Sequence, residues 1–266
     1  MIPNIPSKVQ KLARELEAID SPDYSFLKET VAGMGFSAKD FNHLASFNHP
    51  EDQSYGRHLL YESQRLKIFL MCWAPGDFTA IHDHGQTQWG CVIAMGNFTH
   101  RLYNLEGGQL RLKSAEPFGN GQVACLTGGL IHMMGNSGNK NIISLHVYGS
   151  DLENRSLAKK SRVYMPGIKK VITTNGPAFL DCKEDSILEQ EYFDSFDKNA
   201  LQDYKNLIKI RSEKTRLRKV RQPSRQIPAQ EESGSDNIPA QEEHKYYNIP
   251  ENIDGKYKNP ELFNQN

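Results

Sequence analysis

The chain has no run approaching the roughly 18 apolar residues that a membrane-crossing helix needs. It has no net charge either: 32 Lys and Arg are matched by 32 Asp and Glu. No global pull towards nucleic acid or an anionic membrane follows. Cysteine is scarce. Cys72, Cys91, Cys125 and Cys182 form no CxxC pair and no even framework, which excludes a disulfide-stapled scaffold and reads as reduced, buried thiols in a cytosolic protein. The opening Met1-Ile-Pro-Asn-Ile-Pro lacks the basic start and apolar run of a secretory leader. No Gly-x-Ser-x-Gly turn occurs, so a serine paired with histidine here is not read as a hydrolase nucleophile.

What is present has three textures. Residues 7 to 20 read as a helix with Ser7 as its cap and with Val9, Leu12, Ala13 and Leu16 on one face. Two shorter helical segments follow, ending near Phe47, one of them capped by Ser37. From about Leu59 to Lys170, short apolar runs such as LKIFLMCW, CVIAM, FTHRLYNL, GQVACL and NIISLHVYG alternate with Gly and Asn turns, and Glu106-Gly107-Gly108-Gln109 has hairpin character. Many short strands with regular turns predict an all-β barrel or double-sheet jelly roll, whose mouth suits a small ligand. After about residue 195 the chain turns basic, with nine Lys or Arg against the single acid Glu213 between Lys205 and Arg225. That run could serve nucleic acid, an acidic partner or a lipid surface, but without a binding motif it reads as a solvated helix packed on the barrel. Ile227-Pro-Ala-Gln-Glu-Glu232 then recurs as Ile238-Pro-Ala-Gln-Glu-Glu243 in a polar, proline-punctuated stretch that reads as a partly disordered tail, with Tyr246, Tyr247 and Tyr257 as its few docking groups. The expected division is residues 1–195 for the barrel with its helices, 196–225 for the basic segment and 226–266 for the tail.

Two stretches carry the chemistry. In the first, His82 and His84 lie at i and i+2, so on a strand they share a face. In the second, His132 lies between Gly121 and Asn136. Three neutral imidazoles on one face suit iron, zinc, copper or nickel and leave coordination positions open, as reaction sites do and structural sites do not. The spacing Gly76, His82, His84, Gly96 resembles the first cupin motif, with Trp89 where that motif has its glutamate ligand. The spacing Gly121, Thr127, Gly129, His132, Asn136 resembles the second, with Thr127 in place of proline.

Met71-Cys72-Trp73, Ile81-His82-Asp83-His84, Ile131-His132 and Ser144-Leu145-His146-Val147-Tyr148 look in order and spacing like the cysteine dioxygenase family of cupin-fold thiol dioxygenases, over about residues 7 to 180. The resemblance implies a cupin jelly-roll barrel holding Fe(II) on His82, His84 and His132, with dioxygen and a small thiol as reactants and L-cysteine converted to cysteine sulfinate. It implies that Arg57, with Tyr55 beside it, receives the substrate carboxylate, and a guanidinium fork suits that partner. It implies a relay in which Ser144 orients His146 and His146 orients the Tyr148 hydroxyl; the alternation of these three residues puts them on one strand face. Another thiol acid such as 3-mercaptopropionate remains an alternative, though its enzymes tend to lack an arginine at this place. A metal-dependent isomerase and a non-catalytic ligand-binding cupin also remain. Some family members carry a cysteine that cross-links to the active-site tyrosine; Trp89 or Gly90 occupies that position here, Cys91 lies nearby, and no cross-link to Tyr148 is expected. His58 and His100 have no motif context and are expected at the surface.

Overall fold

The structure, a computed structural model, describes residues 5–50, 52–126, 129–151, 157 and 159–221. Helices α1 (Ser7–Glu17) and α2 (Tyr24–Gly33) and a 3-10 turn (Ala38–Phe41) precede the strands. Val9, Leu12, Ala13 and Leu16 of α1 are all buried, as the 3.6-residue period requires. The cap of α1 is Pro6 rather than Ser7: proline's fixed φ already suits a helix entry, and the serine becomes the first helical residue. Ser37 does cap the 3-10 turn, in a reciprocal box with Asp40. Full burial of a side chain such as Leu12 or Leu16 contributes about 1.5–3 kcal/mol, so the stripe rather than helix propensity holds α1 in place.

Twelve strands follow: β1 (Gly56–Glu62), β2 (Leu66–Trp73), β3 (Ile81–His82), β4 (Trp89–Met95), β5 (Thr99–Glu106), β6 (Gln109–Ser114), β7 (Val123–Leu126), β8 (Ile131–Gly135), β9 (Ile142–Gly149), β10 (Ser161–Met165), β11 (Lys170–Thr174) and β12 (Ile187–Tyr192). They form two sheets, ordered β1-β2-β9-β4-β7 and β12-β11-β10-β3-β8-β5-β6. This is the expected cupin architecture, mostly β with a few helices. The β5–β6 turn is a two-residue hairpin in which Glu106 pairs with Gln109, and Gly107 and Gly108 sit at φ +56° and +76°, a conformation that costs glycine nothing.

Three apolar layers result. The helices cover the outer face of the first sheet through Leu12, Leu16, Leu27, Ile68, Leu70, Ile93, Leu145 and Val147. Between the sheets lie Phe69, Trp73, Val92, Phe98, Leu126, Met134 and Tyr148. Outside the second sheet, Ile81, Ile131, Met133 and Tyr164 meet the final helix α3 (Lys198–Arg221) through Ala200 and Leu207. As far as Arg221 the basic run is therefore a helix packed on a sheet, and its last residues lie outside the described ones. Two of its cations also bind the turn after β2: Arg211 donates to the Gly76 carbonyl at 3.3 Å and Arg218 to Asp77 Oδ1 at 3.0 Å. Gly76, at φ +93°, leaves no room for a Cβ against Lys214 and the α3 backbone. No helix among the described residues is long and apolar enough to cross a membrane. The IPAQEE repeat and the tail tyrosines lie outside the described residues.

Candidate active site

The second sheet supplies the histidines. His82 of β3 is the direct cross-strand partner of His132 of β8, and His84 follows in the turn after β3. The ring centroids lie 4.7 Å (His82–His132), 4.8 Å (His84–His132) and 5.2 Å (His82–His84) apart. One nitrogen from each ring falls within 4.8 Å of the other two, a grouping that could hold a metal ion. Asp83, between the two histidines in sequence, turns the opposite way by strand alternation. It accepts from Arg162 through both the backbone N–H and Nε, each at 2.8 Å, and from the Gly85 N–H at 3.1 Å. Gly85 completes the turn at φ +52°, with its α-carbon tight against the Lys159 carbonyl where a Cβ would collide.

The three rings have different supports. His82 Nδ1 lies 2.9 Å from the Ala80 carbonyl, so Nδ1 carries the proton and Nε2 keeps its lone pair. His132 Nδ1 lies 3.1 Å from His100 Nε2. His84 has both ring nitrogens buried without a partner among the described residues. An imidazole with two orphaned buried nitrogens is costly unless something accepts or donates there. A cation shared with His82 and His132 satisfies it, and the donor set fits one. Burial, reinforced for His84 and His132 by the neighbouring rings, holds the pKa of all three below the ordinary histidine value. They are therefore neutral at physiological pH, the form in which imidazole can bind a metal.

The first sheet supplies the opposite wall. On β9, Ser144 Oγ lies 2.8 Å from His146 Nε2, and His146 Nδ1 lies 2.9 Å from the Tyr148 hydroxyl oxygen. Trp73 Nε1 donates to Ser144 Oγ at 2.9 Å. Indole can only donate, so the Ser144 proton is free to go to His146 Nε2. The His146 proton then sits on Nδ1 and points at the Tyr148 oxygen, which leaves the Tyr148 hydroxyl proton free to donate elsewhere. Burial, and then the charge of Arg57, push the His146 pKa down to about 3, which keeps the ring neutral and this direction intact. Burial raises the Tyr148 pKa, so the phenol stays protonated. The Tyr148 ring lies 5.9 Å from that of His84.

Arg57, on β1, places its guanidinium 3.8 Å above the Phe69 ring. Its charge acts on Tyr148, His146 and Tyr55. No acceptor or acid partner for it lies among the described residues, so a half-buried cation lies against the layer between the sheets without a counter-charge. Tyr55 packs into the inner aromatic cluster, stacked on Trp73 at 4.7 Å and edge-on to Phe179 at 4.9 Å.

Two histidines differ from expectation, and the structure settles the facing of Trp89. His100 is not at the surface: it is half-buried behind His132, with a pKa pulled down to about 4, first by burial and then by the charges of Arg101 and His82. Alternation with buried Phe98, one residue before β5, is the signal that could have found it. His58 is also half-buried, its Nε2 lacking a partner among the described residues, and alternation turns it away from Arg57. Trp89, where cupins carry their glutamate, faces the outer layer. Its indole donates to Asp151 at 2.9 Å, and its ring covers Gly149. The residue opposite Tyr148 is Gly90, and Cys91 pairs with Val147 in the outer layer. Thr127 lies outside the described residues.

The chain is similar to several known proteins. A double-stranded β-helix protein of Klebsiella pneumoniae is 17% identical, with 46% of this chain and 88% of that one aligned at a TM-score of 0.32. A Thermus thermophilus protein is also 17% identical, over 43% of this chain and 97% of that one, with a TM-score of 0.34. An RmlC-like cupin of Methanocaldococcus jannaschii is 11% identical, over 40% and 90%, with a TM-score of 0.30. The sequence model described as cysteine dioxygenase type I matches residues 6–156, from α1 to just beyond β9. The chain belongs to the cysteine dioxygenase type I family.

Proposed function

We propose that this chain is an iron-dependent thiol dioxygenase that converts L-cysteine to cysteine sulfinate, with both oxygens of dioxygen transferred to sulfur. The single observation that carries the choice of substrate is Arg57, a cation without a partner among the described residues, whose charge acts on Tyr148, itself 5.9 Å ring to ring from His84. Family membership supports a dioxygenase-type enzyme acting on a thiol.

Ferrous iron held by His82, His84 and His132 would supply the Lewis-acid and one-electron chemistry that thiol and dioxygen need to react. The protein's own residues do the rest. Arg57 binds the substrate carboxylate through a planar two-bond fork and so fixes the orientation of the thiol. Its stacking on Phe69 limits the guanidinium's freedom before substrate arrives. The Tyr148 hydroxyl, aimed by His146 and ultimately by Trp73, donates a hydrogen bond to the reacting atoms. Phe69, Trp73, Leu126 and Met134 exclude water from the cavity, which strengthens each of these contacts. The reduced thiols suit a reducing compartment, and a cytoplasmic location is part of the same proposal.

The test is oxygen consumption by the iron-loaded protein with cysteine, 3-mercaptopropionate and cysteamine in parallel, with the product identified. Turnover of cysteine to the sulfinate at the highest efficiency is the expected outcome. Preference for 3-mercaptopropionate would keep the carboxylate role of Arg57 and overturn the choice of thiol. Turnover of none would overturn the dioxygenase reading.

A further inference from the structure

Cys91 and Cys125 are 34 residues apart in the chain, yet they are direct cross-strand partners in the β4–β7 ladder, with sulfurs 2.8 Å apart. Both are free thiols. Directly opposed antiparallel residues have α-carbons about 4.5–5.5 Å apart, within the roughly 4.4–6.8 Å that a disulfide spans. A covalent link between them therefore needs little movement of either strand.

The two thiols are not equivalent. Cys91 is fully buried in the layer beneath the N-terminal helices, beside Ile93, Leu145 and Val147. Cys125 is half-buried at the rim of that layer; its sulfur points at the Tyr24 carbonyl of α2, 3.8 Å away, and α2 also carries exposed Lys28 nearby. Hydrogen bonding from the Cys91 thiol, then the charge of Lys28, favours the Cys125 thiolate against the cost of burial, while the same contact keeps Cys91 protonated. A solvent-side thiol whose ionisation its neighbours favour, next to a second cysteine that can resolve it, is the arrangement that oxidant-sensing pairs share.

We propose that Cys91 and Cys125 form a peroxide-responsive modification site that closes reversibly to a disulfide. The Cys125 thiolate attacks one oxygen of hydrogen peroxide: an S–O bond forms, the O–O bond breaks, and hydroxide leaves. Cys125 becomes a sulfenic acid, oxidised by two electrons as the peroxide is reduced. The Cys91 sulfur then displaces the sulfenic hydroxyl, which leaves as water with the Cys91 proton. Two thiols and one peroxide give one disulfide and two waters. The other cysteines are placed outside this exchange: β9 separates Cys72 on β2 from β4, and Cys182 packs against the second sheet. Cys91 faces away from Tyr148, whose cross-strand partner is Gly90, so the site is separate from the cavity that holds the histidines.

The experiment uses the reduced, metal-free, full-length protein treated with stoichiometric hydrogen peroxide, followed by thiol counting, intact mass and peptide mapping. The expected result is loss of two hydrogens and of two of the four thiols, one peptide pair joining Cys91 to Cys125, and full reversal by dithiothreitol. In Cys91→Ala, which removes the resolving thiol, at least three equivalents of peroxide should carry Cys125 on to sulfinic or sulfonic acid, with a gain of two or three oxygens. A wild-type Cys125 that stays reduced, or a disulfide that includes Cys72 or Cys182, would overturn the proposal, and neither result depends on a variant folding.

Discussion

His100 Nε2 lies 3.1 Å from His132 Nδ1, with the two rings nearly perpendicular at 83°. A histidine that binds metal generally donates its second N–H to a carboxylate, carbonyl or water, and that contact fixes its tautomer. Here the acceptor is another imidazole. His100 is itself set by its neighbours: Phe118 lies 5.9 Å from its ring, and Arg101 is pinned to Asp203 at 2.8 Å.

The first prediction follows from that contact. His100→Ala should weaken metal binding about 10- to 100-fold, and His100→Gln, whose carbonyl can accept the same proton, should recover part of the loss. Chelator competition with cobalt or zinc measures this without turnover. Unchanged affinity in His100→Ala would mean that the contact is packing alone.

His82, His84 and His132 each bring one nitrogen within 4.8 Å of the other two, and neither His84 nitrogen has a hydrogen-bond partner among the described residues. Replacing any one with alanine should abolish stoichiometric iron binding and activity. For His84→Ala the apo protein should be no less stable than the parent, because the change removes two buried orphaned nitrogens. Iron content and thermal unfolding of the apo variants check both halves. Full iron occupancy in a single variant would remove that residue from the ligand set.

The hydrogen-bonded row on β9 predicts effects on turnover rather than binding. Tyr148→Phe removes the donor that reaches the cavity and should lower kcat about a hundredfold with KM little changed. Trp73→Phe removes the bond that orders Ser144 and should lower kcat by a smaller factor. A loss confined to KM would put Tyr148 in substrate binding alone.

Much of this was legible from local periodicity. Alternation puts Ser144, His146 and Tyr148 on one face whatever the rest of the chain does, and the 3.6-residue stripe of α1 depends on that segment alone. The features that escaped depend on pairing between distant strands. His100 reaches His132 only because β5 lies beside β8, and Cys91 meets Cys125 only through the β4–β7 register. The facing of Cys91 was legible only relative to Trp89, because no local pattern said which side of β4 met the cavity. His82 and His84 share a side although the strand ends at His82, because the Asp83 N–H still donates to the Arg162 carbonyl at 3.0 Å and carries the extended pairing one residue further.

Asp77 gives a prediction about pH. Its buried carboxylate meets His49 at 2.8 Å and Arg218 at 3.0 Å. Burial alone would lower the His49 pKa, but the bond and charge of Asp77 outweigh it and raise it above the ordinary 6.5. A raised folded-state pKa means that the pair stabilises fully below the unfolded value and that the contribution fades as pH rises through the folded one. His49→Gln should therefore cost most stability below about pH 6 and progressively less in alkaline buffer. Denaturant unfolding of both proteins across pH reads the difference. A gap that widened towards high pH would reverse the sign and refute the charged pairing.

The proposed choice of substrate rests on Arg57. Hydrogen bonds to charged groups contribute about 1.5–3 kcal/mol, and each factor of ten corresponds to about 1.4 kcal/mol. Arg57→Ala should thus lower kcat/KM for cysteine by roughly ten- to a hundredfold. Cysteamine has the same thiol and amine but no carboxylate, so its turnover should change much less. Arg57→Lys keeps the charge but loses the fork and the flat stacking on Phe69, and should recover only part of the loss. Because the guanidinium has no protein partner among the described residues, its removal breaks no salt bridge, and the fold should tolerate it. Equal losses on both thiols would mean that Arg57 shapes the cavity instead of holding the carboxylate. No loss on either would mean that the carboxylate is held elsewhere, and the preference for cysteine would lose its support.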